Sequence, residues 1–242
     1  MSPVGFIAGP EPGPEQRLGR GRDGGKNYRQ RIDWTIFHVL NGSLRGHRLL
    51  GDGIEDFVTD WAVPVFVVAT LSLWLFDRPG PWYRWKIACL SALASAGLGL
   101  LAAQLISHLW ARERPFEAHP AQTLLLAPPS HEPSFPSDHA VAAFAIAFSV
   151  SLTGGRRTGA LFLAAASTVA VTRIFVGLHY PGDVAGGALV GLLASLVVFL
   201  AGGNRWSPIA AALSRLTDPL VAPAWRALDS AKAKRRLRPS ST

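Results

Sequence analysis

The sequence has a single cysteine, Cys89, among its 242 residues, and only 17% of its residues are charged. One cysteine excludes an intrachain disulfide and a cysteine-ligated zinc site, so Cys89 is interpreted as a small core residue. Soluble domains usually contain about 25% charged residues. The shortage of charge therefore argues against an ordinary soluble domain and favours a membrane protein.

The charge that is present is mostly positive, with a net charge of +8 and an isoelectric point of about 10.5. In a membrane chain, such an excess usually reflects Lys and Arg in cytoplasmic loops rather than nucleic-acid binding. Hydrophobic residues make up 49% of the chain, and the mean hydropathy is +0.23. We therefore expect a bilayer, and no nucleic acid, as a partner.

The apolar segments predict an all-α, polytopic membrane bundle of about five to six transmembrane helices. Residues 1–31 are interpreted as a disordered basic tail, and residues 32–50 as an interfacial or re-entrant helix. Residues 54–202 form the predicted transmembrane domain, and residues 203–242 an amphipathic and basic cytoplasmic tail. The apolar stretches of this domain are residues 58–76, 87–110, 140–152, 161–176 and 184–200.

The positive-inside rule gives these five spans an orientation. Basic residues follow the first span and the third span, and they dominate the C-terminal tail, so all three regions are expected in the cytoplasm. The loops after the second and fourth spans then lie outside. The side of the N-terminal tail stays open, because five spans place it outside whereas its positive charge favours the inside.

Three polar clusters fall at span ends on the predicted outer side. They are "RERP" after the second span, "PSDH" at the start of the third, and "TRIFVGLHYPGD" between the fourth and fifth. The residues that could carry chemistry in them are Arg112, Arg114, Ser137, Asp138, His139, Arg173, His179 and Asp183. Arginine forks suit phosphate oxygens, and histidine transfers protons near neutral pH. The clusters therefore predict a site for a phosphorylated substrate.

Each cluster also has a structural interpretation. Arg173 follows an apolar run, where a central cation costs about 2.5–3.5 kcal/mol, unless it snorkels to the membrane surface or binds an anion. Ser137 and Asp138 suit a helix N-terminus as capping residues, although such a terminus also binds anions. His179 and Asp183 are spaced so that the carboxylate can accept one imidazole proton and leave the other nitrogen as a nucleophile.

Together the motifs resemble the type 2 phosphatidic acid phosphatase (PAP2) superfamily, the membrane relatives of vanadium haloperoxidases. The family pattern is K-x6-R-P, P-S-G-H and S-R-x5-H-x3-D, and the chain has "RP" at Arg114, "PSDH", and the third motif at the family spacing. The combination of "RERPF", "FPSDH" and "VGLHYPGD" is similar to the undecaprenyl-diphosphatase branch. Three positions depart from the pattern, because Ser107 replaces lysine, Asp138 replaces glycine and Thr172 replaces serine.

The resemblance implies a haloperoxidase-like helical core and a metal-independent lipid phosphatase without a cofactor, located in the bacterial cell membrane with its site facing outwards. It implies that His179 attacks phosphorus to form a phosphohistidine, that Asp183 orients it, and that His139 protonates the leaving oxygen. The residues expected to bind the phosphate are Arg114, Ser137 and Arg173, with Arg112 as a substitute for the missing lysine.

The substrate implied by this branch is an isoprenyl diphosphate, either undecaprenyl or decaprenyl diphosphate, converted to the monophosphate. Phosphatidic acid or phosphatidylglycerol phosphate is the alternative, because the motifs recognise phosphate and not the lipid tail. A non-enzymatic protein that binds or moves a phosphorylated lipid is an alternative of another class. A vanadate-dependent peroxidase is disfavoured, because those relatives are soluble.

Overall fold

The computed structural model describes residues 30–43, 61–77, 83–202 and 205–236 of the chain. Within these ranges there are eight helices and no strand, so the all-α prediction is confirmed. The helices are α1 (residues 30–42), α2 (Ala62–Phe76), α3 (Arg84–Leu109), α4 (Pro115–Ala118), α5 (Asp138–Thr153), α6 (Arg156–Phe175), α7 (Pro181–Gly202) and α8 (Trp206–Arg236).

Each of the five apolar segments of the sequence forms one helix. The helices α3, α6 and α7 are long and apolar enough to cross a membrane, whereas α2 and α5 are apolar but shorter. Large apolar side chains are exposed on the outer faces of the long helices, among them Leu101, Leu105, Leu161, Leu189 and Leu200. Lipid tails, and not water, are the environment in which such faces are stable.

Helix α5 lies at the centre of the bundle and packs against α3, α6 and α7. Its buried face is built mainly from alanine, which lets the neighbouring helices approach closely. A Cβ atom added at Gly191 of α7 would lie 2.8 Å from the Val141 carbonyl oxygen of α5, and one at Gly187 would lie 2.8 Å from the Ser137 carbonyl oxygen. Small residues at such contacts are typical of membrane helix pairs. The backbones of α5 and α7 are therefore in direct contact.

The C-terminal helix α8 packs on the end of the bundle where α2 ends and α3 begins. Lys86 of α3 is fully buried and its Nζ lies 2.5 Å from Oδ1 of Asp218 in α8. The indole nitrogen of Trp74 donates to Thr217 at 3.0 Å, and that of Trp225 donates to the Leu75 carbonyl at 2.9 Å. The segment predicted as an amphipathic tail is thus helical from Trp206 to Arg236 and attached to the bundle.

Helix α1 packs on the opposite end, beside the loops that carry the three polar clusters. Phe37 is fully buried, with its ring centroid 5.6 Å from that of Tyr180. Burial of such a side chain stabilises the packing by roughly 1.5–3 kcal/mol. The segment predicted as an interfacial or re-entrant helix therefore lies at the cluster end, where residues 30–42 are helical. Residues 1–29 and 44–60, which hold most of the predicted basic tail and the rest of the 32–50 segment, lie outside the described residues.

Candidate active site

The three polar clusters converge on one cavity at the end of the bundle where α3 ends and α5 and α7 begin. Its volume is about 540 Å³. Of the residues predicted for the site, those that line it are Arg114, Asp138, His139, Arg173 and His179. The rest of the lining comes from the end of α3, including Gln104 and Ser107, from the loop between α4 and α5, and from Leu178 in the loop between α6 and α7.

Arg173, in the last turn of α6, is 5% exposed and has no carboxylate partner in the described part of the chain. Its Nε and Nη1 atoms are buried and make no hydrogen bond with any residue that the structure describes. A buried cation that is neither paired nor hydrogen-bonded is costly. Arg173 lines the cavity instead of snorkelling away from it, and these two nitrogens have no partner among the described residues.

Ser137 is the N-cap residue of α5, as its sequence position suggests, but its side chain makes no capping hydrogen bond. The hydroxyl is buried and without a partner within the described ranges. The capping interpretation therefore holds for the position of Ser137 and not for its oxygen. Asp138 follows in the first turn, and its carboxylate accepts a hydrogen bond from Nε2 of Gln104 at 3.3 Å.

Arg114, which precedes the short helix α4, is 4% exposed and points to the third cluster. Its Nε donates to the Glu132 carbonyl at 2.8 Å, and its Nη1 lies 3.4 Å from Nε2 of His179. Burial lowers the pKa of Arg114, against the opposing effect of nearby carboxylates, among them Glu132 and Glu117. Arg114 and Arg173 both line the cavity, so two guanidinium groups lie in the same site.

His179 lies in the loop between α6 and α7 and is 3% exposed. Its Nδ1 lies 2.8 Å from the carbonyl oxygen of Ser134, which can only accept a hydrogen bond. Nδ1 therefore carries the proton, and the lone pair of Nε2 faces Arg114 at the cavity. Burial lowers the pKa of His179, which favours this neutral form.

Asp183 is fully buried, but it does not take the hydrogen bond that the spacing predicts. Its Oδ2 is 3.8 Å from Nδ1 of His179, beyond ordinary hydrogen-bond range. That oxygen instead accepts from the Ser134 hydroxyl at 2.5 Å and from the Tyr180 amide at 2.9 Å. Ser134 thus connects the two residues, because its carbonyl contacts the imidazole while its hydroxyl contacts the carboxylate.

Arg112, like Ser137 and Asp183, is a predicted site residue that does not line the cavity. Its Nη1 donates to Oδ1 of Asp183 and its Nη2 donates to Oδ2 of Asp33, each at 2.6 Å. Its guanidinium also stacks over the Tyr180 ring, 4.1 Å from the centroid. With both terminal nitrogens held by carboxylates, Arg112 is arranged as a link between Asp33 and Asp183, and its role as a phosphate ligand stays a prediction.

Sequence reasoning missed Asp33, Asn41 and Ser134. Asp33, Phe37 and Asn41 recur every four residues, a spacing that places them on one face of a helix, and this was the available signal. For Ser134 the contact with His179 uses a backbone carbonyl, which any residue type would provide. Among the described residues, no group of three or more His, Cys, Asp or Glu side chains is arranged to hold a metal ion.

The chain belongs to the PAP2 superfamily, whose family model matches residues 85–207. Membership of this superfamily, together with the apolar helices, identifies the protein as a membrane lipid phosphatase.

Relatives within the superfamily are similar over much of the chain. Undecaprenyl-diphosphatase BcrC of Bacillus subtilis is 31% identical over 168 residues, which cover 69% of this chain and 83% of BcrC. Decaprenylphosphoryl-5-phosphoribose phosphatase of Mycobacterium tuberculosis is 39% identical over 123 residues, which cover 50% of this chain and 63% of that enzyme. The crystal structure of Aquifex aeolicus LpxE matches the fold with a TM-score of 0.58 at 23% identity, over 69% of this chain and 94% of LpxE.

Proposed function

We propose that this protein removes the terminal phosphate from an isoprenyl diphosphate, undecaprenyl or decaprenyl diphosphate, to give the lipid monophosphate. The observation that carries the phosphatase chemistry is the pair of buried Arg173 nitrogens, which have no partner among the described residues and lie in the same cavity as His179. The isoprenyl diphosphate is favoured by the name of the relative BcrC, which is similar over most of its own length.

In the proposed reaction, Nε2 of His179 attacks the terminal phosphorus and forms the N–P bond as the P–O bond to the lipid phosphate breaks. His139 gives its proton to the leaving oxygen. It then takes a proton from the water that cleaves the phosphohistidine, which restores both histidines and releases inorganic phosphate. Arg114, Arg173 and the Ser137 hydroxyl bind the nonbridging oxygens, where negative charge builds up.

The roles of the carboxylates in this scheme follow from their partners. Asp183 stabilises the positively charged imidazole of the intermediate from 3.8 Å, while the Ser134 carbonyl keeps Nδ1 protonated. The scheme requires no metal ion. The cavity faces the outer side of a bacterial plasma membrane in this proposal, because Arg84, Arg156 and Arg157 lie at the opposite ends of their helices, where positive charge favours the cytoplasm.

Phosphate release from a lipid panel tests this proposal. The purified protein in detergent is given undecaprenyl diphosphate, phosphatidic acid, phosphatidylglycerol phosphate and a polyprenyl phosphoribose 5-phosphate, each with and without a chelator. We expect the diphosphate to be hydrolysed fastest, with no effect of chelation. His179→Ala should lose measurable turnover, whereas His38→Ala, a histidine exposed on α1, should match the wild type.

The outcomes separate the alternatives. Preference for a glycerolipid or for the phosphoribose lipid would replace the proposed substrate by that one. Turnover that stops in chelator would contradict the metal-free scheme. Binding of the lipids without release of phosphate from any of them would favour the non-enzymatic lipid-binding protein.

A further inference from the structure

Asp33 lies in α1, before the first apolar segment and outside the matched residues 85–207, yet it contacts the core of the candidate site. Its Oδ2 accepts from Nη2 of Arg112 at 2.6 Å, and its Oδ1 accepts from the backbone amide of Gly182 at 2.7 Å. Gly182 immediately precedes Asp183. The Asp33 carboxylate therefore contacts both the backbone next to Asp183 and Arg112, the arginine that binds the Asp183 side chain.

Hydrogen bonds connect Asp33 to the imidazole of His179 through Arg112, Asp183 and Ser134. Arg112 donates to Oδ1 of Asp183, the other oxygen of Asp183 accepts from the Ser134 hydroxyl, and the Ser134 carbonyl contacts Nδ1 of His179. The side chains of Asp33, Arg112 and Asp183 are 14%, 24% and 0% exposed. Charge-assisted bonds at this depth are stronger than exposed ion pairs, which contribute little.

Helix α1 is itself anchored, so Asp33 is held in place. Four residues after Asp33, Phe37 is buried against Tyr180. Four residues further on, the Asn41 amide nitrogen donates to the carbonyls of Leu124 and Phe175 at 2.7 and 2.8 Å, and its oxygen accepts from the Leu124 amide at 2.8 Å. These contacts fix the helix on the face that carries Asp33.

We propose that Asp33 is a positioning residue for the phosphatase reaction, acting through Arg112 to fix Asp183 and His179; this rests on the proposed function. Helix α1 is then part of the catalytic domain and not only a surface anchor. Without the Asp33 carboxylate, Arg112 loses one of its two anionic partners and the Gly182 amide loses a charged acceptor. Asp183, and with it the Ser134 hydroxyl, then shifts relative to the imidazole. The phosphate ligands Arg114 and Arg173 have no contact with Asp33 in the described structure and should be unaffected.

Kinetics of Asp33 variants test the proposal. Asp33→Asn should lower kcat roughly 100-fold, the scale expected when reacting groups are misplaced by about 1 Å. KM and the inhibition constant for inorganic phosphate should stay within twofold of the wild type. Asp33→Glu, which keeps the charge, should recover part of kcat. Thr35→Ala is the matched control, because Thr35 is exposed on α1 and its hydroxyl donates to the Arg31 carbonyl of the same helix.

Hydrogen exchange gives a readout that needs no turnover. In Asp33→Asn the amides of residues 178–184 should exchange at least tenfold faster than in the wild type and in Thr35→Ala. Wild-type kcat in Asp33→Asn, or unchanged exchange in that segment, would overturn the positioning role. A fall in kcat matched by an equal fall in the folded fraction would also overturn the positioning role, because Asp33 would then only anchor α1 to the fold. A wild-type protein that hydrolyses no lipid would refute the proposed function alone, and the exchange data would still decide whether Asp33 holds the Asp183 loop.

Discussion

Two buried cations at opposite ends of the bundle, Lys86 and Arg173, have opposite surroundings. Lys86 of α3 is fully buried and neutralised, with Asp218 at 2.5 Å and the rings of Trp74 and Tyr83 within 5.7 Å of its Nζ. Arg173 of α6 is 5% exposed, lines a cavity and has two nitrogens without a partner. Among the described residues, Lys86 has a carboxylate partner and Arg173 has none.

The difference distinguishes a structural charge from a binding charge. A buried ion pair is satisfied by the fold itself, and breaking it leaves an uncompensated charge. A buried cation with free donors costs stability unless an anion arrives, so such a cation is expected where a ligand binds. Substitutions at the two cations should therefore separate stability from activity.

Replacing Arg173 should give the largest effect, and it should be on activity. Arg173→Ala is expected to lower kcat/KM of phosphate release by about 10³-fold, the upper range for loss of one donor to a developing anion. The melting temperature should not fall, because the lost guanidinium donors at Nε and Nη1 have no partner within the described structure. Thermal unfolding in detergent and phosphate release measure the two quantities. A large loss of stability with retained turnover would make Arg173 a structural residue.

Replacing Lys86 should lower stability and leave activity unchanged. Lys86→Met leaves Asp218, whose side chain is 17% exposed, without its cation, and should lower the free energy of unfolding by about 3 kcal/mol. Turnover per folded molecule should be unchanged. The double variant Lys86→Met, Asp218→Leu serves as the matched control, because an apolar pair of similar volume restores most of the stability. Equal instability of the single and double variants would contradict an ion-pair origin.

Replacing Ser137 should give the smallest effect of the three substitutions. Loss of a serine N-cap usually costs about 1 kcal/mol, but Ser137 makes no capping bond, so Ser137→Ala should leave the melting temperature within about 1 °C. Turnover should fall roughly tenfold, because loss of one hydrogen bond to a charged group is worth about 1.5 kcal/mol. A destabilised but fully active variant would return Ser137 to the capping role.

The apolar segments and the three clusters were predictable because each is encoded locally. Runs such as residues 184–200 determine helices by composition alone, and the polar residues at their ends must meet at one membrane face once the helices alternate in direction. Helix limits shifted by a few residues where polar or proline residues extend the first turn, as at Pro181 of α7. The superfamily and the lipid phosphatase class followed from the cluster spacing and are confirmed.

The contacts of Arg112 and Asp183 were not predictable, because they depend on segments far apart in the chain. Asp33 and Gly182 are separated by 149 positions, and the sequence between them contains no pattern that specifies their pairing. The i, i+4 spacing of His179 and Asp183 suggested a direct bond, but the loop before α7 turns the carboxylate towards Ser134, Tyr180 and Arg112 instead. Local spacing placed the residues in one site without giving their partners.

The glycine contact between α5 and α7 also holds two parts of the site together. His139 is in the first turn of α5 and Asp183 in the first turn of α7, and near Gly187 and Gly191 these two helices touch backbone to backbone. Besides the backbone of α5, the Ala140 side chain also faces Gly187, so a larger residue at Gly187 or Gly191 would push the two helices apart. Such a substitution would therefore change the position of His139 relative to Asp183 as well as the packing of the bundle.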